Sequence, residues 1–521
     1  MAPVDPDLSN SNFKPLAVHY AQTTLIGILI AIISATISKA HRTLPPSQHT
    51  RSQDGVHKSR SMLFAGLAAI SAAILSYLAL AARYDSYITW AQQVDVAVPN
   101  TLWDGWYAQG ENGMRLQLGR WWSDVDFTKQ VDEAVVDSSA ALWWTQQQLM
   151  GTLVWSIYVG IEGQRRNMSS IVIAAFVLLA RLSGLSVAQN LFNIAIIFTA
   201  VPLPQSSKKD PLWTPHPLIY LVSGGAALLM AGSIPYTRTG QSAIAIYRMV
   251  YYAAPLMLAL MPSVVPKRLG MQHSNFHTLR TSQTKIFYVL GGLSLFFHLK
   301  QGLISILDNT PTAHKQRHNY VWNMHKDVEV TLFSQTHVAI GRVLEMLNSD
   351  PVVGVIAWDV LLSALTACVW AFDRSTNLDG ILKCSIFPWH SSASEKEAPQ
   401  INGREVSEAP NDTIEVKPRR RPGRPKKNTP AANASAIDEN ANLRRSTRHR
   451  RTTSQMTEQT DPDYVPSAAA KAQVDGNMHE DDHNGEDLVG DSESAALGWG
   501  LFVLGGLGLQ QAGVLGSECC A

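Results

Sequence analysis

Ser170-Ile-Val-Ile-Ala-Ala-Phe-Val-Leu-Leu-Ala-Arg181-Leu-Ser-Gly-Leu185-Ser-Val-Ala-Gln189-Asn190-Leu-Phe-Asn193-Ile-Ala-Ile-Ile-Phe-Thr-Ala-Val-Pro-Leu203 decides how this chain is threaded. Its 34 residues exceed the roughly 20 that carry a helix across about 30 Å of hydrocarbon, and fall short of two full crossings. Arg181, Gln189, Asn190 and Asn193 interrupt the apolar run. The favoured reading is two short crossings, or a helix broken near Leu182 to Leu185, because irregular backbone at membrane depth is tolerated where protein surrounds it.

Similar runs lie on either side. Residues 19–39, with Leu25-Ile-Gly-Ile-Leu-Ile-Ala-Ile-Ile33 at their centre, form a first span rather than a secretory signal, since the apolar stretch is too long and residues 1–18 are only weakly basic. Further spans are expected at 62–82, 140–161, 215–235, 243–265, 286–307, 351–372 and 495–516. The expected fold is therefore all-α, a polytopic transmembrane helical bundle of about 9–10 spans, with the lipid bilayer as its obligatory partner. Whole-chain averages conceal this. A hydrophobic fraction of 46%, a mean hydropathy of -0.02 and a net charge of +1 arise because apolar runs are averaged with a polar segment after residue 373, and a basic block with an acidic one.

Three regions follow: a multi-span domain over 1–372 with a polar, Trp-rich loop at 83–139, a disordered loop over 373–494, and a final helix with a short tail over 495–521. The loop over 373–494 has few large apolar residues and too little burial to offset the entropy of ordering. Loop charge ties topology to the opening stretch. Lys39, Arg42, Arg51, Lys58 and Arg60 mark a cytoplasmic loop. A single crossing within 170–203 puts the 39–60 and 373–494 loops on opposite sides. An even count puts both, with Lys208-Lys209 and Lys267-Arg268, on one side.

Lys417-Pro-Arg419-Arg420-Arg421-Pro422-Gly423-Arg424-Pro425-Lys426-Lys427 lies within the polar loop. It resembles an AT-hook, whose Pro-Arg-Gly-Arg-Pro core lies in the minor groove of A·T-rich DNA. Gly423, Arg424 and Pro425 match the core; Pro422 stands where the family has arginine, and Arg421 is the nearest substitute. The resemblance implies phosphate contacts from the flanking Lys417, Arg419, Arg420, Lys426 and Lys427. A second block, Arg444, Arg445, Arg448, Arg450 and Arg451, adds to them, and Ser446, Thr447, Thr452 and Thr453 are phosphorylation candidates that would cancel charge. Anionic lipid headgroups or a nuclear-import receptor are the competing partners. Binding of DNA would place the protein in the endoplasmic reticulum or nuclear envelope. Sequons at Asn411-Asp-Thr413 and Asn433-Ala-Ser435 flank the block and report its side of the membrane.

Inside the spans Asp359 stands out, since an unpaired carboxylate about eight residues into an apolar run is costly. Arg181, His298 and Lys300 are its candidate partners, and Gln189 and Asn190 complete the intramembrane polar set. This constellation carries the alternative function, a transporter or membrane-embedded enzyme with a regulatory loop. No convergent catalytic motif appears, and no metal site or cofactor is expected. Asp124 and Asp126 form an Asp-x-Asp pair, and His314, His318 and His325 a loose histidine group; neither amounts to a metal motif. The four cysteines leave 83–139 without a disulfide. Gly505, Gly508, Ala512 and Gly516 form a small-residue face suited to packing inside the bundle.

Stretches Val154-Trp155-Ser-Ile-Tyr-Val-Gly-Ile-Glu162-Gly-Gln-Arg165-Arg166, Ser186-Val-Ala-Gln189-Asn190-Leu-Phe and Asp350-Pro-Val-Val-Gly-Val-Ile-Ala-Trp-Asp359 resemble uncharacterised fungal integral membrane proteins. That resemblance implies the multi-span class and supplies no mechanism.

Overall fold

The computed structural model describes residues 14–42, 51–96, 98, 116–199, 212–234, 241–310, 332–374, 376–385 and 486–520. The basic stretches 417–427 and 444–451, and His314, His318 and His325, lie outside the described residues.

In chain order the helices are α1 (Lys14–Arg42), α2 (Arg51–Gln93), α3 (Leu118–Asp124), α4 (Phe127–Asp137), α5 (Ser139–Arg165), α6 (Ser170–Leu182) and α7 (Leu185–Phe198). After them come α8 (Pro217–Ser233), α9 (Gln241–Arg248), a π-helical turn (Met249–Ala253), α10 (Ala254–Val264), α11 (Phe276–Asn309), α12 (Leu332–Ser349), α13 (Pro351–Asp373), α14 (Leu378–Ser385) and α15 (Glu486–Cys520). A short antiparallel pair, β1 (Trp213–Pro215) and β2 (Gly270–Gln272), with Thr214 opposite Met271, ties the start of α8 to the start of α11. Six of the described helices are long and apolar enough to cross a membrane, and α6, α7 and α8 are shorter apolar helices. The chain is the expected all-α polytopic bundle, embedded in a membrane.

The bundle has two ends. At the basic end Arg60, leaving the 39–60 loop, pairs with Asp373 at the close of α13, 3.0 Å apart. That contact brings Arg60, beside the first basic loop, and Asp373, where the second begins, to one end of the bundle. At the opposite end Arg248 meets Asp132 of α4 at 2.5 Å, and Asn309 donates to the Ser139 hydroxyl at 3.3 Å. Burial pushes the Asp132 carboxyl up from its ordinary range, while Arg248 pulls it back.

Of the two readings of 170–203, the described residues show the broken helix: α6 and α7 form a hairpin that turns back between Leu182 and Leu185. Phe176 and Phe192 meet edge to face with ring centroids 5.1 Å apart, placing α6 and α7 side by side across a turn at Ser183-Gly184. Arg166, just before α6, donates to the carbonyls of Ile196 (3.2 Å) and Thr199 at the end of α7. Entrance and exit therefore coincide. Helices of 13 and 14 residues reach about 20 Å, enough for mid-bundle and too little to cross.

The stretch expected as a last simple span, 495–516, behaves the same way. Backbone at Gly506 is non-helical, with φ 73° and ψ -174°, and α15 reverses there. A Cβ on Gly498 would stand 3.4 Å from Val514, and one on Gly513 2.8 Å from Leu501. Both arms start and end at the basic end: the Ser494 hydroxyl donates to the Ala371 carbonyl (3.2 Å), and Glu518 accepts from Trp370 Nε1 (2.5 Å) and the Tyr158 hydroxyl (2.7 Å). The small face of α15 packs inside the bundle as expected, with Gly508 against Ser294, Ala512 against Gly291 and Gly516 against Phe287.

Two expectations change. Disorder was expected from 373, yet Leu378–Ser385 is helical, because Ile381 and Cys384 are fully buried, with Ile381 against Gly513 and Cys384 against Gly516 of α15. The stretch 83–139, expected as a loop, contains the end of α2 together with α3 and α4, and Tyr87, Trp90 and Trp121 build a second core there. Asp124 and Asp126 serve that local structure, Asp124 accepting from Trp90 Nε1 (3.2 Å) and Asp126 capping α4 through Lys129 N (3.1 Å).

The α15 hairpin predicts that Leu501→Cys with Gly513→Cys, in a Cys368→Ser background, oxidises to an intrachain disulfide. Protection of both thiols from a maleimide-polyethylene glycol gel shift is the readout. In a continuous helix the pair would stand about 18 Å apart and both would stay reactive.

Candidate functional site

The hairpin of α6 and α7 breaks where the sequence permits nothing else. Gly184 has φ +128°, a value L side chains rarely adopt, and a Cβ there would lie 2.4 Å from Leu75 and 3.1 Å from Asp359 Oδ1. Gly184 has no side chain to cap α7, so the first amides of that helix need an acceptor from elsewhere.

Asp359 supplies it. Oδ2 accepts from Leu185 N (2.9 Å) and from Gln148 Nε2 (2.7 Å); Oδ1 accepts from Ser186 N (2.9 Å) and from the Ser186 hydroxyl (2.7 Å). The residue is 1% exposed. Four donated bonds and the positive end of a helix are the environment a buried carboxylate requires. Asp359 is the ninth residue of α13 and Gln148 the tenth of α5, so the contact lies about 12–14 Å into the bundle from the Asp132 end.

Arg181 occupies the last turn of α6, where the helix dipole favours a cation. It is 4% exposed, donates through Nη2 to the Thr152 hydroxyl, and lies 4.2 Å from the centroid of the Tyr251 ring. Tyr251 belongs to the π-helical turn, and its hydroxyl donates to the Arg181 carbonyl at 3.2 Å. Arg181 Nε and Nη1 have no hydrogen-bond partner among the described residues. Thr152 donates in turn to the Gln148 carbonyl (2.6 Å), so Arg181, Thr152, Gln148, Asp359 and Ser186 form one connected polar core.

Other expected residues fall in and out of this core. Asn190 joins it, donating to the Ser186 carbonyl (2.8 Å) and to Thr366 Oγ1 (3.0 Å). Gln189 is 3% exposed with Oε1 unpartnered. Lys300 lies elsewhere, donating to the Gly232 carbonyl at 3.3 Å, and His298 stacks on Trp143 at 5.6 Å. Asp359 is thus held by neutral donors, where a cationic partner was expected.

The residues sequence reasoning passed over are Gln146, Gln147 and Gln148, three consecutive amides inside an apolar helix. Each lies on α5 and each is 5% exposed or less. Gln148 serves the first hairpin tip; Gln147 serves the second, its Oε1 accepting from Leu507 N at 3.3 Å. Gln146 lines a groove with Leu142, Thr145, Leu149, Ala231 and Ile234. A run of glutamines mid-span is the signal that was there to be found.

At the basic end Glu162, fully buried, binds Arg165 at 3.1 Å and Arg166 at 3.2 Å, and so fixes the clamp on the end of α7. The chain matches no protein-family profile, no curated protein and no solved structure.

Removal of the carboxylate isolates four buried donor groups. Asp359→Ala is expected to destabilise the solubilised protein by on the order of 3 kcal/mol, seen as a lower thermal midpoint. An unchanged midpoint would mean that the carboxylate does not hold the tip.

Proposed function

We propose that this membrane-embedded protein moves a small polar solute, and that the two re-entrant hairpins are its solute-contacting elements. The observation that carries this reading is that both hairpin tips are linked to consecutive glutamines of α5, the first to Gln148 through Asp359 and the second to Gln147 directly. A purely structural bundle gains nothing from breaking two helices within hydrocarbon, since every freed amide and carbonyl must find a partner there. Half-helices whose ends point inward are how membrane proteins present backbone dipoles to a solute. The π-helical turn beside Arg181 supports the same reading, because such turns recur at functional sites. Enzymatic chemistry draws less support: the Ser186 hydroxyl does meet the Asp359 carboxylate, but both groups are engaged in holding the tip of the first hairpin.

Purified full-length protein in sealed vesicles tests this with a panel of small neutral and charged solutes. Asp359→Asn, normalised to folded protein, is expected to cut the transported solute's flux at least tenfold. Flux equal to wild type, or no flux of any solute by the wild type, removes the proposal.

A second reading concerns Lys417–Lys427. The Arg60–Asp373 contact favours a cytoplasmic position for the loop that carries it, since the shared end bears the basic residues. On that side the AT-hook-like block binds a polyanion, with A·T-rich DNA the leading partner and anionic headgroups the alternative. Asn411 and Asn433 are then expected to remain unglycosylated in microsomes. Deleting 415–452 is expected to abolish retention on an A·T-rich duplex while solute flux is unaltered. A glycan on either asparagine excludes DNA as partner.

A further inference from the structure

The two hairpin tips differ in one respect. At the first, the amides that open α7 meet a built-in carboxylate, Asp359. At the second, Leu507 N opens the arm from Leu507 to Cys520 and meets only the neutral Oε1 of Gln147, at 3.3 Å. An inward-pointing helix N-terminus carries partial positive charge and attracts an anion; here the chain provides none in contact with that amide among the described residues.

Three further donors surround the same tip. Gln147 is fully buried, its Oε1 faces Leu507 N, and its Nε2 has no hydrogen-bond partner among the described residues. The His298 ring stands with Nδ1 2.7 Å from where a Cβ on Gly506 would be, and that nitrogen is also unpartnered. Ser294, fully buried, lies with its hydroxyl against Gly508 and bonds only weakly to Met150 Sδ, at 3.5 Å. Gly506, at φ 73°, leaves no room for a side chain; a Cβ would fall 1.7 Å from Gln147 Oε1. A backbone amide, a side-chain amide, an imidazole and a hydroxyl thus border the tip between Gly506 and Gly508, and the contacts these groups make among the described residues include no carboxylate.

We propose that the tip of the second hairpin, at Gly506–Gly508, is a binding site for a small monovalent inorganic anion of the chloride type. Half a turn of the Gln147 amide exchanges its oxygen for Nε2, which frees Leu507 N and aims both groups at the anion. Ser294 Oγ and the Nδ1–H tautomer of His298 supply the remaining donors. The anion then does for the second hairpin what Asp359 does for the first. Its role as transported species rests on the transport reading above; its binding does not.

The test uses the full-length protein in detergent, its thermal midpoint measured in sodium chloride and in sodium gluconate at equal ionic strength. Chloride is expected to raise the midpoint of the wild type. Gln147→Glu, which installs a resident carboxylate, is expected to abolish that increment while its midpoint in gluconate equals or exceeds wild type. Ser294→Ala, a milder change should Gln147→Glu fail to fold, is expected to raise at least tenfold the chloride concentration that gives half the increment. No increment in wild type overturns the proposal, as does an undiminished one in whichever variants fold. Chloride influx into vesicles holding a halide-sensitive dye separates the two readings. Transport of another solute without any chloride increment removes the site and keeps the transporter. A chloride increment with no flux of any solute removes the transporter and keeps the site.

Discussion

The Asp359 carboxylate, seated on the first two amides of α7, is the contact on which the architecture turns. Neither group is tolerable alone at that depth. An uncompensated carboxylate within the bundle, and a helix N-terminus with unpaired N–H groups, each cost several kcal/mol. Together they satisfy one another, with Gln148 and the Ser186 hydroxyl completing the oxygen's capacity. Arg181 at the adjoining end of α6 completes a charge pattern that follows the two helix dipoles, negative on an N-terminus and positive on a C-terminus.

The clamp at the hairpin's mouth depends on the same logic. Carbonyls at the end of α7 lack intrahelical donors, and Arg166 provides them while Glu162 holds the guanidinium in place. The hairpin thus has its exit bonded by Arg166, at the end of α5, and its tip bonded by Asp359 of α13. The second hairpin repeats the scheme with Glu518 at its mouth, taking bonds from Tyr158 and Trp370, and with a glutamine in place of the aspartate at its tip.

Much of this was legible before the structure. Apolar runs of helical length fixed the class, and the interruption at Arg181 in a run too long for one crossing put the break near Leu182 to Leu185, because length and hydrophobic patterning are local signals. Asp359 announced itself through its cost. Its partners did not, since the amides of Leu185 and Ser186 are backbone groups that every residue carries, and nothing in a sequence marks which amide is left free. For the same reason α15 read as one crossing: its two arms together have the length of a span, and among so many glycines Gly506 has no distinguishing neighbour. Gln147 was passed over because an amide carries no charge to draw attention, although its burial matches that of Asp359.

The α15 hairpin also constrains how the protein can be assembled. About 100 residues separate Ser385 from its first turn, so every other described helix has left the ribosome before it is made. It packs against α5, α11, α13 and α14, and must therefore enter a slot those helices have already outlined. Because both of its ends stay on the basic side, no polar chain has to be passed through the bilayer for it to do so, and Glu518 need never leave that surface. Insertion of the last element is a docking step, reversible in principle and independent of the machinery that threads the others across.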